Sequence, residues 1–160
     1  MSEQCQLVFE VENLNNASPA TVSRCGQIYI SPTDLGHKAI YEGWCNLRSL
    51  ERSTEESNLI KKYLNKFFDD WKICSALEKT IKNTPVMEVS VPLKLLNTLN
   101  LINGLLKSLP PGVKLTEAEY ERVVTYAVAW AIGGLYEANE RFQFHEYLQS
   151  KNCQLPQNKK

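Results

Sequence analysis

The hydrophobic pattern of this chain changes once, near residue 30, and that change limits the folds open to it. Before it, residues 7–14 (LVFEVENL) alternate apolar and polar side chains with the two-residue period of a β-strand, and residues 27–30 (QIYI) form a second short apolar run. After it, apolar residues recur every three to four positions almost to the C-terminus, which is the period of an α-helix. The sequence therefore predicts a mainly α-helical protein preceded by one or two β-strands.

A short helix is predicted between the two strands, in residues 17–26 (ASPATVSRCG). Ser18 can cap its first N–H groups, Pro19 is tolerated at the first helical position, and Gly26 suits its end. Arg24 then lies in the last turn, where its guanidinium would project from the rim of a sheet, a placement that suits bidentate binding of an oxyanion. The alternative is that Arg24 forms a local salt bridge that caps the turn.

Charge and cysteine content exclude several classes of function. The 160 residues carry 18 Lys and Arg against 18 Asp and Glu, so no broad electrostatic field favours nucleic acid or an anionic membrane as a partner. The five cysteines are scattered without C-x-x-C spacing, which argues against a zinc site or a disulfide framework and favours a reducing compartment. The polar N-terminus and the short apolar runs predict neither a secretory signal nor a membrane span. We therefore expect a soluble protein without a metal.

The residues needed for independent catalysis are missing from the pattern. No GxxxxGK[ST] phosphate loop occurs, and no acidic residue follows a run of four apolar residues as a Walker-B carboxylate would. His37 and His145 lack a nucleophile and a carboxylate in a recognisable arrangement, so we expect both to be exposed structural residues. Cys25 follows Arg24 directly, but its place before a strand predicts burial. The chain alone is expected to bind no cofactor and to catalyse nothing.

The first half of the helical part is predicted to contain three helical pieces. The first covers residues 38–52, with Ile40, Trp44, Leu47 and Leu50 facing the interior. The second begins at an S-x-x-E capping box, Ser53 to Glu56. It carries an apolar stripe at helical spacing, which predicts packing in the core: Leu59, Ile60, Tyr63, Leu64, Phe67, Phe68 and Trp71. The third piece, residues 74–82, follows a bend.

The second half is predicted to contain three further helices. Residues 86–92 read as a short strand or an extended connection, before a strongly apolar helix over residues 93–109. A T-x-x-E box at Thr116 opens a long helix with an apolar interior face: Val123, Val124, Ala127, Val128, Trp130 and Ala131. Gly133 and Gly134 predict close packing or a break, since a glycine inside a helix costs about 1 kcal/mol. In the last helix, residues 139–151, Phe142, Tyr147 and Leu148 are expected to face inward.

Two segments resemble the second AAA+ module of dynein heavy chains. FEVENL followed by ASPATVSRCG resembles the strand and SRC-type arginine finger of that module. The resemblance implies that Arg24 is a finger that acts in trans on the nucleotide of the preceding module. It also implies that Asn13 or Glu12 lies at the polar strand end where AAA+ proteins place a sensor group.

The segment WAIGGLYEANERFQFHEYL resembles dynein AAA+ lids, so the resemblance covers both ends of the chain. It implies that residues 1–32 end an α/β large subdomain, residues 33–152 form the helical lid, and residues 153–160 form a linker or tail. One departure lies in the predicted hinge, residues 31–39 (SPTDLGHKA), where many dyneins carry a tryptophan after the glycine and this chain has His37 after Gly36.

The resemblance implies a function as part of a dynein motor ring. Arg24 would serve the ATP site of the preceding module, and the lid would relay conformational change for ATP-driven movement along microtubules. It also implies ATP and Mg²⁺ at neighbouring AAA+ sites, contacts with neighbouring modules of the same heavy chain, and intermediate chains, light chains and microtubules as partners of the full-length protein. The implied location is the cytoplasm and cytoskeleton, in the axoneme of a cilium or flagellum. The alternative is a stand-alone helical interaction module without motor activity.

Overall fold

The chain forms two compact units, Met1–Ile30 and Ser31–Lys160. The computed structural model describes residues 7–31, 36–81, 85–110 and 113–153. Within these residues the helices are α1 (Pro19–Arg24), α2 (His37–Glu51), α3 (Thr54–Asn65), a π-helical turn (Lys66–Asp70), α4 (Ile73–Thr80), α5 (Val91–Lys107), α6 (Glu117–Gly133) and α7 (Ala138–Ser150). The mainly helical fold predicted from the sequence is therefore confirmed.

The predicted strands do not form in the described residues. Residues 7–14 and 27–30 have no strand pairing. Their apolar side chains are open to solvent, with Val8 93% and Ile28 90% exposed. A segment with alternating polarity becomes a strand only when neighbouring strands accept and donate its backbone hydrogen bonds. Within the described residues no such neighbour is present, so the alternation remains without a sheet.

Four long helices of the second unit enclose its core. Helix α2 packs against α3 and α5, and α6 packs against the same two helices, so α2 and α6 lie at opposite corners. The largest fully buried side chains come from these helices and from the π-helical turn, α4 and α7: Tyr41, Phe67, Ile60, Leu64, Ile73, Leu77, Leu95, Leu99, Ile102, Ile132, Leu148 and Val124. This arrangement is a helical bundle with one continuous apolar interior.

The apolar stripe predicted after the S-x-x-E box, residues 59–71, lies in this core, as predicted. Ile60, Leu64 and Phe67 are at most 1% exposed. The stripe continues through the π-helical turn, after which Lys72 adopts a left-handed backbone conformation with φ 45°. Since that conformation cannot continue a right-handed helix, the chain bends there and α4 begins in a new direction.

Only one of the two predicted capping boxes forms. At the start of α6, the backbone N–H of Thr116 donates to Glu119 Oε2 at 2.7 Å. At the start of α3, Ser53 makes no side-chain capping bond, and Glu56 instead accepts hydrogen bonds from Arg48. A nearby guanidinium is a stronger donor than a backbone amide, which explains why Glu56 faces the bundle.

The inward face of α2 differs from the prediction. Leu47 and Leu50 are 65% and 85% exposed, whereas Tyr41, Cys45 and Arg48 are buried. The spacing of both sets suits a helix, so apolar content alone selected the wrong face. Polar partners on neighbouring helices decide the rotation of α2, as described below.

Two aromatic residues of the last helices are also placed differently from the prediction. Trp130 and Phe142 are 57% and 62% exposed. In α7, the buried side chains are Glu140, Phe144 and Leu148, at successive intervals of four residues. The predicted inward position of Leu148 is confirmed, but Phe144 takes the place expected for Phe142.

The glycine pair at the end of α6 marks both close packing and a helix end. A Cβ on Gly133 would lie 3.0 Å and 3.3 Å from ring atoms of Phe144, and one on Gly134 would lie 2.7 Å from the carbonyl oxygen of Trp130. Of residues 86–92, predicted as a short strand or an extended connection, residues 86–90 form a connection without strand pairing, and residues 91 and 92 begin α5. The N–H of Val86 ties the connection to the carbonyl of Leu135 at 2.8 Å.

Candidate functional site

Helix α1 is held at its N-terminus by the residues predicted from the sequence. The Ser18 hydroxyl accepts the N–H of Thr21 at 3.2 Å and lies 2.9 Å from the Thr21 hydroxyl oxygen. Pro19 occupies the first helical position. Because these groups satisfy the first free N–H donors, a helix of only six residues has a defined start.

Arg24 is the last residue of α1, in the last turn as predicted. Its side chain is exposed. Within the described residues no hydrogen bond, ion pair or ring contact engages its guanidinium. The local salt bridge that was the alternative is therefore absent from this part of the chain, and the five guanidinium donors remain available to an anion.

At the C-terminus of α1, one backbone carbonyl oxygen accepts two hydrogen bonds. Val22 O accepts the backbone N–H of Cys25 at 3.3 Å and the side-chain amide of Gln27 at 3.2 Å. Gln27 was expected only as the start of a strand, so this bond is a contact that the sequence pattern did not indicate. Cys25 is exposed as a free thiol, which corrects the expectation that it is buried.

Asn13 lies in a turn rather than at a strand end. Its Oδ1 accepts the backbone N–H of Asn15 at 3.2 Å, which forms a turn within the segment. Both Asn13 and Glu12 are exposed. In the described residues no hydrogen bond joins Asn13 to Arg24, so the two predicted site residues are not brought together within this unit.

A buried ionic network lies inside the second unit. Arg48 Nε donates to Glu56 Oε1 at 2.6 Å and Arg48 Nη1 donates to Asn103 Oδ1 at 2.7 Å. The hydroxyl of Tyr120 donates to Glu56 Oε2 at 3.2 Å, and the guanidinium carbon lies 5.1 Å from the ring centroid of Trp44. Because the four hydrogen-bonded residues lie on α2, α3, α5 and α6, the network fixes the relative rotation of all four helices.

A second polar cluster joins the start of α2 to the π-helical turn. Asp69 Oδ1 accepts a hydrogen bond from His37 Nε2 at 2.9 Å, and Asp69 Oδ2 accepts one from the hydroxyl of Tyr41. The side chains of His37 and Asp69 are 32% and 26% exposed. The prediction that His37 is an exposed hinge residue is therefore wrong, whereas His145 is exposed as predicted.

The cluster also shifts the acidity of two of its members. Burial opposes ionisation of Asp69, but the hydrogen bonds from Tyr41 and His37 outweigh it and lower the pKa of this carboxyl group. Burial, followed by the hydrogen bond to Asp69, raises the pKa of the Tyr41 hydroxyl. Both shifts favour the charge state in which a neutral tyrosine donates to a carboxylate.

Within the described residues, no group of three or more His, Cys, Asp or Glu side chains is arranged to hold a metal ion. None of the helices in the described ranges combines the length and the apolar character that a transmembrane helix requires.

Comparison with known proteins links both units to one family. Residues 64–160 match the family model described as the dynein heavy chain AAA lid domain. The chain is 36% identical to the dynein gamma chain of the flagellar outer arm of Chlamydomonas reinhardtii over 98% of its own length and 3% of that protein. It is 35% identical to dynein axonemal heavy chain 17 of Mus musculus over 84% of its length and 3% of that protein. With dynein axonemal heavy chain 8 of the same species it shares 29% identity over 97% of its length, again 3% of the relative. The chain thus corresponds to a small part of each of these relatives.

Proposed function

The chain belongs to the dynein heavy chain AAA lid domain family, and from this we propose that it is one part of a dynein motor ring in which Arg24 completes the ATP site of the preceding AAA+ module. Residues 1–32 then end the large subdomain of the second module, residues 33–152 are its lid, and residues 153–160 lead onward. ATP and Mg²⁺ belong to the neighbouring site, and this chain contributes to turnover there without catalysing a reaction alone.

The observation that carries the proposal is the state of Arg24. Its guanidinium is exposed at the end of a capped helix, and no described residue engages it. An arginine finger needs this arrangement, because its charge must be unpaired until the γ-phosphate of a neighbouring nucleotide is bound. The hydrogen bonds at both ends of α1 hold the helix in place, so the long Arg24 side chain extends from a fixed backbone position.

Asn13 is the candidate for the sensor position. Its Oδ1 is occupied by the N–H of Asn15, and no described residue bonds its Nδ2. The remaining amide hydrogens can donate to a phosphate oxygen or to a water molecule. Glu12 offers only acceptor oxygens when ionised, so Asn13 suits contact with a nucleotide better.

The lid is proposed to relay movement. Its four long helices share an apolar core, and the Arg48 network fixes their rotation. A bundle of this kind moves as one body rather than deforming helix by helix. Closure at the ATP site would therefore be passed around the ring toward the elements that bind microtubules.

The partners and the location follow from the relatives by analogy. Their names place them in flagellar outer arms and axonemes. We infer the same cytoskeletal location for this chain, in a cilium or flagellum, with neighbouring AAA+ modules as direct partners. Intermediate chains, light chains and microtubules would be reached through the full-length heavy chain.

Replacing Arg24 in the full-length heavy chain tests the finger. We expect Arg24→Ala to reduce ATP turnover at the preceding module by about 10³-fold or more, because arginine fingers contribute about 10³ to 10⁵ in rate. Arg24→Lys should recover little of this loss, since a lysine cannot bind a phosphate in bidentate geometry. Arg52→Ala, at an exposed arginine of the second unit, is the control. Unchanged turnover in Arg24→Ala would refute the trans-acting finger.

The stand-alone interaction module remains the competing function, and it predicts that residues 7–14 pair within the chain. No pairing of this segment is present in the described residues. The apolar side chains of the segment are exposed, which is unfavourable for an independent domain. A stable, monomeric 160-residue chain with exchange-protected amides in residues 7–14 would favour that alternative.

A further inference from the structure

We propose that His37, Tyr41 and Asp69 form a clamp that couples the first turn of α2 to the π-helical turn. The value of such a clamp to a motor rests on the proposed relay function of the lid. The clamp itself is a property of the second unit and can be tested without a motor.

Within the described residues, no side chain caps the start of α2. Gly36 stands at the capping position and provides no side-chain hydrogen bond, and no acidic residue lies in the first turn. A helix end of this kind leaves N–H groups without side-chain partners and opens easily. Without further contacts, the first turn of α2 would unwind when the preceding chain is displaced, and the rest of the helix would not move.

Asp69, in the π-helical turn, binds two side chains of the first turn of α2. Its two carboxylate oxygens take one bond each from α2, Oδ1 from His37 Nε2 at 2.9 Å and Oδ2 from the Tyr41 hydroxyl. His37 and Tyr41 are four residues apart, so they lie on the same face of the helix. A negative charge near the first turn also suits the positive end of the helix dipole.

The π-helical turn explains why Asp69 can reach α2. Residues Lys66–Asp70 are wound more widely than the α-helix before them, and Phe67 and Phe68 within the turn are buried. Phe68 also contacts the ring of His37, with centroids 6.1 Å apart. The buried rings hold the turn in place, and a π-helical turn frequently marks a functional position in a helix. The carboxylate is thus presented from a rigid base.

The clamp has a mechanical consequence. Tyr41 is 0% exposed, so its hydroxyl links Asp69 to the interior of the bundle. His37 is the first residue of α2, so its ring links Asp69 to the start of that helix. Opening the first turn then requires breaking two charge-assisted hydrogen bonds to Asp69. Displacement of the chain entering α2 is passed to α3 and its π-helical turn.

Hydrogen exchange of the 160-residue chain tests the clamp. We expect Asp69→Asn to accelerate amide exchange in residues 41–43 by about tenfold or more relative to amides in the middle of α5, since two hydrogen bonds to a charged group are weakened. Asp70→Asn is the matched control, because the adjacent carboxylate is exposed. Tyr41→Phe should accelerate exchange in the wild type and add little in the Asp69→Asn background.

Three results would overturn the clamp: equal acceleration across the whole bundle, no acceleration in residues 41–43, or additive effects of Tyr41→Phe and Asp69→Asn. Its use in the relay has a separate test in the full-length heavy chain. There, Asp69→Asn should lower microtubule gliding velocity at least twofold while ATP turnover changes less. Turnover and velocity that fall in parallel would refute the use in the relay, whereas loss of the finger itself is read only from Arg24→Ala.

Discussion

Arg24 and Arg48 both lie in the last turn of a helix, but their surroundings are opposite. Arg24 is exposed and unengaged within the described residues, whereas Arg48 is 7% exposed and bound to Glu56 and Asn103. The first arrangement leaves a charge available to a neighbour, and the second uses the charge to hold helices together. At the scale of a residue, the two arginines therefore suit different roles: Arg24 the proposed phosphate contact, and Arg48 the packing of helices.

Removal of the Arg48 guanidinium tests its structural role. We expect Arg48→Met to lower the free energy of unfolding by about 3 kcal/mol, because breaking a buried ion pair leaves the other charge without compensation. Urea denaturation followed by circular dichroism measures this loss. Arg52→Met, at an exposed arginine near the end of the same helix, should change stability by about 0.5 kcal/mol or less. Equal losses in the two variants would argue against the network.

The elements of the second unit illustrate which helical features can be predicted from local sequence. The T-x-x-E box at Thr116 forms, since its partners lie within one turn of the helix. The similar box at Ser53 does not form, because Arg48 lies eight residues before Glu56 in the sequence and binds it in space. A local motif is therefore reliable only when no distant group competes for its side chains.

Glycines in two helices provide a test at the same scale. A Cβ on Gly104 of α5 would meet nothing within 4 Å, whereas one on Gly133 of α6 would press on the buried ring of Phe144 at 3.0 Å. We expect Gly104→Ala to stabilise the chain by about 1 kcal/mol through helix propensity. Gly133→Ala should destabilise it by about 1 kcal/mol, since overpacking outweighs that gain. Thermal denaturation of both variants measures the two changes in stability. If both variants are stabilised, the Phe144 ring moves aside for the new Cβ and the predicted overpacking is absent.

At the scale of the whole molecule, lowered carboxyl pKa values link stability to pH. The pKa of Glu117 is lowered by the hydrogen bond and charge of Lys62, and that of Glu119 by the bonds from Thr116. The pKa of Asp69 is lowered by Tyr41 and His37 against the opposing effect of burial. A carboxyl group whose folded-state pKa is depressed adds stability above its unfolded pKa and loses it as pH falls through the folded value.

We therefore expect the free energy of unfolding to decrease as pH falls below about 4, the ordinary range of these groups. Asp69→Asn should be less stable than the wild type at pH 6, and the difference should shrink in acid as Asp69 becomes protonated in the wild type. Urea denaturation between pH 2.5 and 7, values chosen to bracket about 4, measures the difference. A gap that stays constant with pH would exclude a contribution from the ionised Asp69.

The sequence alone was enough to predict the helical class, the position of Arg24 in the last turn of α1, the burial of the apolar stripe and the resemblance to dynein. These features depend on residues that are close together in the sequence, or on a motif that can be recognised from its residues alone. Other features are visible only in the folded chain: the rotation of α2, the inward position of Phe144 and the partners of Glu56 and Asp69. Each of these depends on groups that are distant in sequence and that compete in space, and periodicity carries no information about that competition.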